Sequence, residues 1–156
     1  MRYFKIILFL LSSLMVINCT PQGSVLHDTK GNPIQVSALK GKWVIVNYWA
    51  DWCDNCIEEI PELNRFYQHN QDKNIVIYGV NYDRMPAADL QLAIDKTHIA
   101  FPTLLEDPSQ TWPALDGIDA LPVTFIIDPK GKVVKKIVGG NTEKSLRDLL
   151  HQLQQV

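Results

Sequence analysis

Residues 42–56 read Lys42-Trp43-Val44-Ile45-Val46-Asn47-Tyr48-Trp49-Ala50-Asp51-Trp52-Cys53-Asp54-Asn55-Cys56. The first eight form an apolar, β-branched and aromatic run bounded by Gly41, the composition of a strand buried in a mostly parallel sheet. After the cysteines, Ile57, Ile60, Leu63, Asn64 and Tyr67 recur at helical spacing, so the pair falls at a strand-to-helix junction with Cys53 at the helix N-terminus. Unpaired N–H groups and the positive end of the helix dipole favour a thiolate there, and the thiolate is the nucleophile of disulfide exchange. Cys53 would attack a disulfide. Cys56, about one turn further on, would attack the mixed disulfide and close a Cys53–Cys56 bond. Asp54 puts a negative charge beside the nucleophile and opposes the helix-end effect, which leaves the sign of the net shift open.

Other uses of paired cysteines fit less well. A structural zinc site needs four ligands, yet Cys19 is the remaining cysteine, and His69 follows Cys56 without a second histidine three to five residues later. Covalent haem needs a histidine directly after the second cysteine, where Ile57 stands. An inert structural disulfide closing so short a loop would constrain the unfolded chain little. No resident metal is expected. His27, His69, His98 and His151 are scattered without ligand spacing and read as ordinary residues.

The chain has 156 residues, 46% of them hydrophobic, enough for one domain with a sizeable core. A net charge of -2 supplies no basic footprint for nucleic acid. Residues 1–19 read as a secretory signal: Arg2 and Lys5 make a basic start, and the apolar stretch from Ile6 to Ile17 is too short to span a membrane. Val16-Ile17-Asn18-Cys19 is similar to a bacterial lipobox, which makes Cys19 the expected lipidation site; Asn18 stands where that pattern prefers a small residue, and an uncleaved anchor or ordinary cleavage are the alternatives. Residues 20–25 are then a tether to a folded domain over residues 26–156.

Within that domain, Lys30-Gly31-Asn32-Pro33 predicts a turn between two short strands, an N-terminal hairpin ahead of the main sheet. A second buried strand is expected over Asn74–Val80, a helix over Pro86–Thr97 with Pro86 in its first turn, and an extended piece over Phe101–Leu105. Val123–Asp128 and Val133–Val138 read as an antiparallel hairpin turning at Pro129-Lys130-Gly131-Lys132. A final helix is capped by Asn141 and docks through Leu146, Leu149, Leu150 and Leu153.

Taken together, Gly41-Lys42, the run Asn47 to Cys53, Glu59, Pro61, and Leu121-Pro122-Val123-Thr124-Phe125-Ile126-Ile127-Asp128 followed by Gly131 resemble the thioredoxin superfamily. Within it they are most similar to the membrane-tethered bacterial oxidoreductases of the TlpA, ResA and DsbE type. The resemblance covers about Val25 to Gln154. It implies an α/β thioredoxin fold, a mixed central sheet flanked by helices, with the hairpin added at the N-terminus.

The resemblance also assigns roles. Pro122 matches the cis-proline facing the active site, which would present the backbone of Leu121 beside Cys53 to an extended client segment. Glu59 matches an acidic residue that can carry protons during exchange, the alternative being a solvated helix-face carboxylate. Asn47 stands where cytosolic thioredoxins have a buried aspartate, which moves the proton-transfer burden toward Glu59. Pro61 is expected to kink the helix. Trp52 could contact clients, whereas Trp49 is expected to pack internally.

The implied protein is a monomeric, exported thiol–disulfide oxidoreductase on the periplasmic or extracytoplasmic side of a membrane. It needs no cofactor, holds a lipid anchor, and takes electrons from a membrane donor of the DsbD or CcdA type. Its clients are protein disulfides, apocytochrome cysteines before haem attachment being one job known in the family. Asp54-Asn55 between the cysteines matches neither the Gly-Pro of thioredoxins nor the Pro-His of strong oxidants, so an oxidase or isomerase running the same chemistry in reverse stays open. A copper or zinc chaperone using the two thiolates is a reading from a different class. A thiol peroxidase is disfavoured because no threonine lies a few residues before Cys53.

Overall fold

The computed structural model describes residues 24–71 and 74–155, so the expected leader, the Cys19 lipidation site and most of the tether lie outside the described residues. The chain opens with an antiparallel hairpin, β1 (Val25–His27) and β2 (Pro33–Gln35), whose turn is closed by the Asp28 carboxylate accepting from the backbone of Lys30 and Asn32. A 3-10 turn over Val36–Leu39 leads into β3 (Trp43–Trp49), followed by α1 (Asp54–His69), β4 (Ile75–Asn81), α2 (Ala87–Thr97) and β5 (Thr103–Leu104). After two further 3-10 turns come β6 (Val123–Ile127), β7 (Val133–Val138) and α3 (Glu143–Gln154).

The main sheet runs β5-β4-β3-β6-β7, with β3, β4 and β5 mutually parallel and β6 and β7 antiparallel to their neighbours. β3 is central, hydrogen-bonded on both edges, which explains its apolar character on both faces. Ile45 and Trp49 face one way, into a cluster with Ile77, Ile126 and the apolar stripes of all three α-helices. Val44, Val46 and Tyr48 face the other way, under Leu26 and Leu39 from the N-terminal segment and Trp112 and Leu115 from the 3-10 turns. The hairpin is a separate two-stranded sheet, linked to the main one by a bridge between Asp28 and Leu104.

Three local expectations are corrected. Thr142, rather than Asn141, caps α3: its hydroxyl accepts from the Ser145 N–H while the Ser145 hydroxyl accepts from the Thr142 N–H, a reciprocal pairing of end groups that an asparagine one residue earlier could not make. Pro86 is the N-cap of α2, its carbonyl accepting from the Leu90 N–H, so the helix proper begins at Ala87. Ile57 does not belong to the buried stripe of α1 and is exposed; the stripe is Cys56, Glu59, Ile60, Leu63 and Phe66. Pro61 lies inside α1, which continues to His69.

Gly79 in β4 sits where the strands and the helix-side core meet most closely. A Cβ there would lie 2.9 Å from Thr103 Oγ1, 3.1 Å from the Phe101 ring and 3.2 Å from Trp49 Nε1. Those neighbours are a paired strand residue and two buried rings with little room to yield. Gly79→Ala is expected to lower stability by about 1–3 kcal/mol through overpacking, read from the urea midpoint; an unchanged midpoint would show that the core relaxes freely there.

Candidate active site

β3 delivers the chain to the dithiol. Trp49 and Ala50 are fully buried at its end, and a tight turn brings Cys53 to the N-cap of α1. Its Sγ accepts from the Cys56 N–H at 3.2 Å, and its carbonyl accepts from the N–H groups of Cys56 and Ile57. The sulfur thus lies at the cluster of otherwise unpaired donors that stabilises negative charge at a helix start. Cys53 and Cys56 are joined as a disulfide. Both are buried, Cys53 at 8% exposure and Cys56 at 1%, so Cys53 is the more accessible residue of the pair.

Around Cys53 the surface forms an open groove of about 540 Å³ lined by Trp52, Asp54, Tyr82, Asp119 and Leu121. Trp52 is 61% exposed, with its indole N–H donating to Asp83 at 2.7 Å, which fixes the ring at the rim. The Leu121-Pro122 peptide is cis, and the Pro122 carbonyl is taken up by the Gly139 N–H at 2.8 Å. Leu121 lines the groove from a loop far from the cysteines in sequence.

Behind the dithiol, Glu59 lies one turn beyond Cys56 on the buried stripe of α1, only 3% exposed. A solvated helix-face carboxylate is thereby ruled out. Its Oε1 accepts from the Asn141 backbone and side-chain N–H groups, both at 2.8 Å, and its Oε2 accepts from Asn47 Nδ2 at 3.1 Å. Thr124 Oγ1 accepts from the same two amides, at 3.0 Å from Asn47 and 3.2 Å from Asn141. Burial raises the Glu59 pKa above its ordinary value of 4.5, while the donors of Asn141 and Asn47 pull it back down.

Asn47, Thr124 and Asn141 come from β3, β6 and the approach to α3, so the carboxylate joins three segments distant in sequence. Thr124 and Asn141 were given no role at the site by sequence reasoning. The available signals were a hydroxyl inside an otherwise apolar five-residue strand and the position of Glu59 in the 56, 59, 60, 63 stripe. Trp49, expected to pack internally, is fully buried. Among the described residues no group of three or more His, Cys, Asp or Glu is placed to hold a metal ion.

Because its folded pKa is raised, Glu59 contributes stability that is fully present below pH 4.5 and is lost as pH rises through the folded value. Glu59→Gln is therefore expected to raise the urea midpoint at pH 7 and to flatten its dependence on pH above 4.5. Asn141→Ala, which leaves the buried carboxylate one donor short, should cost about 1–3 kcal/mol at neutral pH and less at pH 4. Equal losses at the two pH values would mean that Asn141 acts through packing.

Residues 18–136 match the AhpC/TSA family. The chain is 35% identical over 130 residues to the thiol-disulfide oxidoreductase ResA of Bacillus subtilis, an alignment covering 83% of this chain and 72% of that protein. Among solved structures it is similar to the thioredoxin domain of a thiol-disulfide oxidoreductase from Bacteroides vulgatus, at 30% identity and a TM-score of 0.64 over 83% of this chain and 91% of that one. It is also similar to an exposed lipoprotein thioredoxin of Streptococcus pneumoniae, at 25% identity and a TM-score of 0.70 over 83% and 98%. With its mixed sheet, N-terminal hairpin and cysteine pair at the head of α1, the chain has the thioredoxin fold and belongs to the AhpC/TSA family, within which it is a thiol–disulfide oxidoreductase of the TlpA, ResA and DsbE kind.

Proposed function

We propose that this oxidoreductase reduces disulfides in client proteins of the cell envelope. The observation that carries the reading is the Cys53–Cys56 pair at the N-cap of α1, with Cys53, the more exposed residue of the two, lining the groove between Trp52 and Leu121. In the reduced protein the Cys53 thiolate attacks a client disulfide. A Cys53–client bond forms, the client S–S bond breaks, and the leaving client thiolate takes up a proton. Cys56 then loses its proton and attacks Cys53 Sγ, the mixed disulfide breaks, and the second client thiol departs. Two electrons have passed from protein to client, and the oxidised protein carries the Cys53–Cys56 bond. The client has gained two protons, one released by Cys56 and one from solvent, which took up the Cys53 proton when the thiolate formed.

Glu59 is the proton acceptor for Cys56 in this scheme. Its raised pKa brings it closer to neutrality, and a carboxylate accepting three hydrogen bonds retains a lone pair for a fourth partner. Trp52, Leu121 and Pro122 would hold the client, an extended segment pairing with the backbone at Leu121. Asn47 orients Glu59 but has no proton to relay, which supports assigning the transfer to the carboxylate.

The compartment belongs to the same reading. The basic and apolar start of the sequence and the lipobox-like Val16-Ile17-Asn18-Cys19 support export and lipidation at Cys19, and a structurally similar protein is itself described as an exposed lipoprotein. A reductant working in an oxidising compartment needs its own electron supply, here a membrane reductase of the DsbD or CcdA type. Apocytochrome cysteines are the client class we favour, and the working protein is taken as a monomer without a cofactor.

The decisive measurement is the equilibrium reduction potential of the full-length protein in dithiothreitol or glutathione buffers. A value near or below about -270 mV supports client reduction, and one near about -120 mV would make the protein an oxidase. Cys56→Ser should accumulate a Cys53–client mixed disulfide, whereas Cys53→Ser should trap nothing. Glu59→Gln should slow disulfide reduction by about 10²- to 10⁴-fold while making the protein more stable at pH 7. A variant equally stable and equally fast would remove Glu59 from the mechanism.

A further inference from the structure

Charge is divided between the two ends of β3. Where the strand begins, residues 40–42 and the β6–β7 turn are joined by the Gly41 N–H donating to the Pro129 carbonyl at 2.9 Å. That contact gathers Lys40, Lys42, Lys130 and Lys132, of which Lys40, Lys130 and Lys132 are exposed. None of the four lies in an ion pair among the described residues. The acid beside them, Asp128, spends its carboxylate accepting from the backbone N–H groups of Lys130 and Lys132, each at 2.9 Å. Arg147 and His151 of α3 line the adjoining cleft with Gly41 and Pro129, Arg147 being paired with Glu143.

At the other end of β3, roughly 20 Å away for a strand of this length, the dithiol groove carries Asp54 and Asp119, with Asp83 against Trp52. The cations there are committed: Lys96 to Asp51, Lys136 to Asp119 and Arg84 to Asp107.

The chain reaches the domain at the basic end. The Ser24 carbonyl accepts from the Val36 N–H at 3.0 Å. With Lys40 and Lys130, Ser24 lines an apolar groove of about 330 Å³ whose other walls include Leu39, Val44, Trp112 and Ile127. Only residues 20–23 separate Ser24 from Cys19 and the apolar leader, and the five Cα steps from Cys19 to Ser24 span at most about 18 Å. A lead of that length lets the lysine-bearing end come into the field of a charged bilayer, which decays over about 8–10 Å.

We infer that the lysine-bearing end is a docking face for the anionic phospholipid headgroups of the membrane that holds the leader. Lys40, Lys42, Lys130 and Lys132 are drawn to the surface, Asp54 and Asp83 are pushed from it, and both forces turn the dithiol outward toward clients. The inference rests on the proposed reading that the leader attaches the chain to a membrane.

The test uses full-length protein on vesicles of phosphatidylcholine alone or with roughly one third phosphatidylglycerol. Acetylation of each lysine by an amine-reactive ester is timed by peptide mass spectrometry, with Lys96 and Lys144 as references away from this face. Docking predicts that Lys40, Lys130 and Lys132 react at least about fivefold more slowly on the anionic vesicles, recover at high salt, and leave the references unchanged. Equal rates on the two lipids, or equal protection on both, would overturn it. So would protection of Lys40 that survives in a Lys130→Glu, Lys132→Glu double variant, whose disulfide-reducing rate in detergent should match the parent. Flotation on phosphatidylcholine reports the leader separately. If the chain fails to float there, the leader reading falls, and docking is then decided by whether phosphatidylglycerol restores flotation to the parent and not to the double variant.

Discussion

The structure is organised by a strand that has no side facing water. β3 is paired along both edges and covered on both faces, so each of its side chains must be apolar or find a partner inside the protein. Val44, Ile45 and Val46 meet that demand with aliphatic groups and Tyr48 by donating its hydroxyl to Asp107 at 3.0 Å, whereas the indole N–H of the buried Trp49 has no hydrogen-bond partner among the described residues. Asn47 meets the demand with two hydrogen bonds, to Glu59 and Thr124. Once Asn47 is fixed, a carboxylate from α1 and a hydroxyl from β6 have defined places, and the same strand ends four residues before Cys53 of the disulfide.

The buried carboxylate is the exception that this arrangement tolerates. An isolated charge so deep would be expelled or neutralised, and here it is held by amides that are themselves tied to Thr124. Asn141 supplies two of the three donors to Glu59 from outside the sheet, just before α3 begins. The docking of the last helix and the state of the carboxylate are therefore coupled through one residue. Burial pushes the Glu59 pKa up, and the amides of Asn141 and Asn47 oppose that shift.

The main sheet was legible because its strands are short apolar runs separated by turn-forming residues, and Gly131, at φ 85°, sits where the β6–β7 turn needs a left-handed residue. The junction between β3 and α1 was legible because the hydrophobic period changes there. The stripe of α1 was misplaced by one position: Ile57 is hydrophobic yet exposed, while Glu59 is charged yet buried, and hydrophobicity alone assigns both wrongly. Asn141 and Thr142 are both good capping residues, and only the Ser145 hydroxyl three residues after Thr142 separates them. The Glu59–Asn141 contact links residues 82 apart in the chain, a distance over which no periodicity carries information. The pairing of Trp52 with Asp83 is equally non-local.

The Cys53–Cys56 bond closes a loop across a sequence separation of 3. Cross-linking so short a segment removes little freedom from the unfolded chain. Folding and oxidation form a closed cycle, however, so any departure of this site's potential from that of the same cysteines in an unfolded chain must reappear as an equal difference in stability between the oxidised and reduced proteins. For a two-electron couple, about 30 mV corresponds to about 1.4 kcal/mol. Whatever sets the redox poise of the site therefore also sets the relative stability of the two forms, and a denaturation experiment on each form measures the chemistry of the site without any client present.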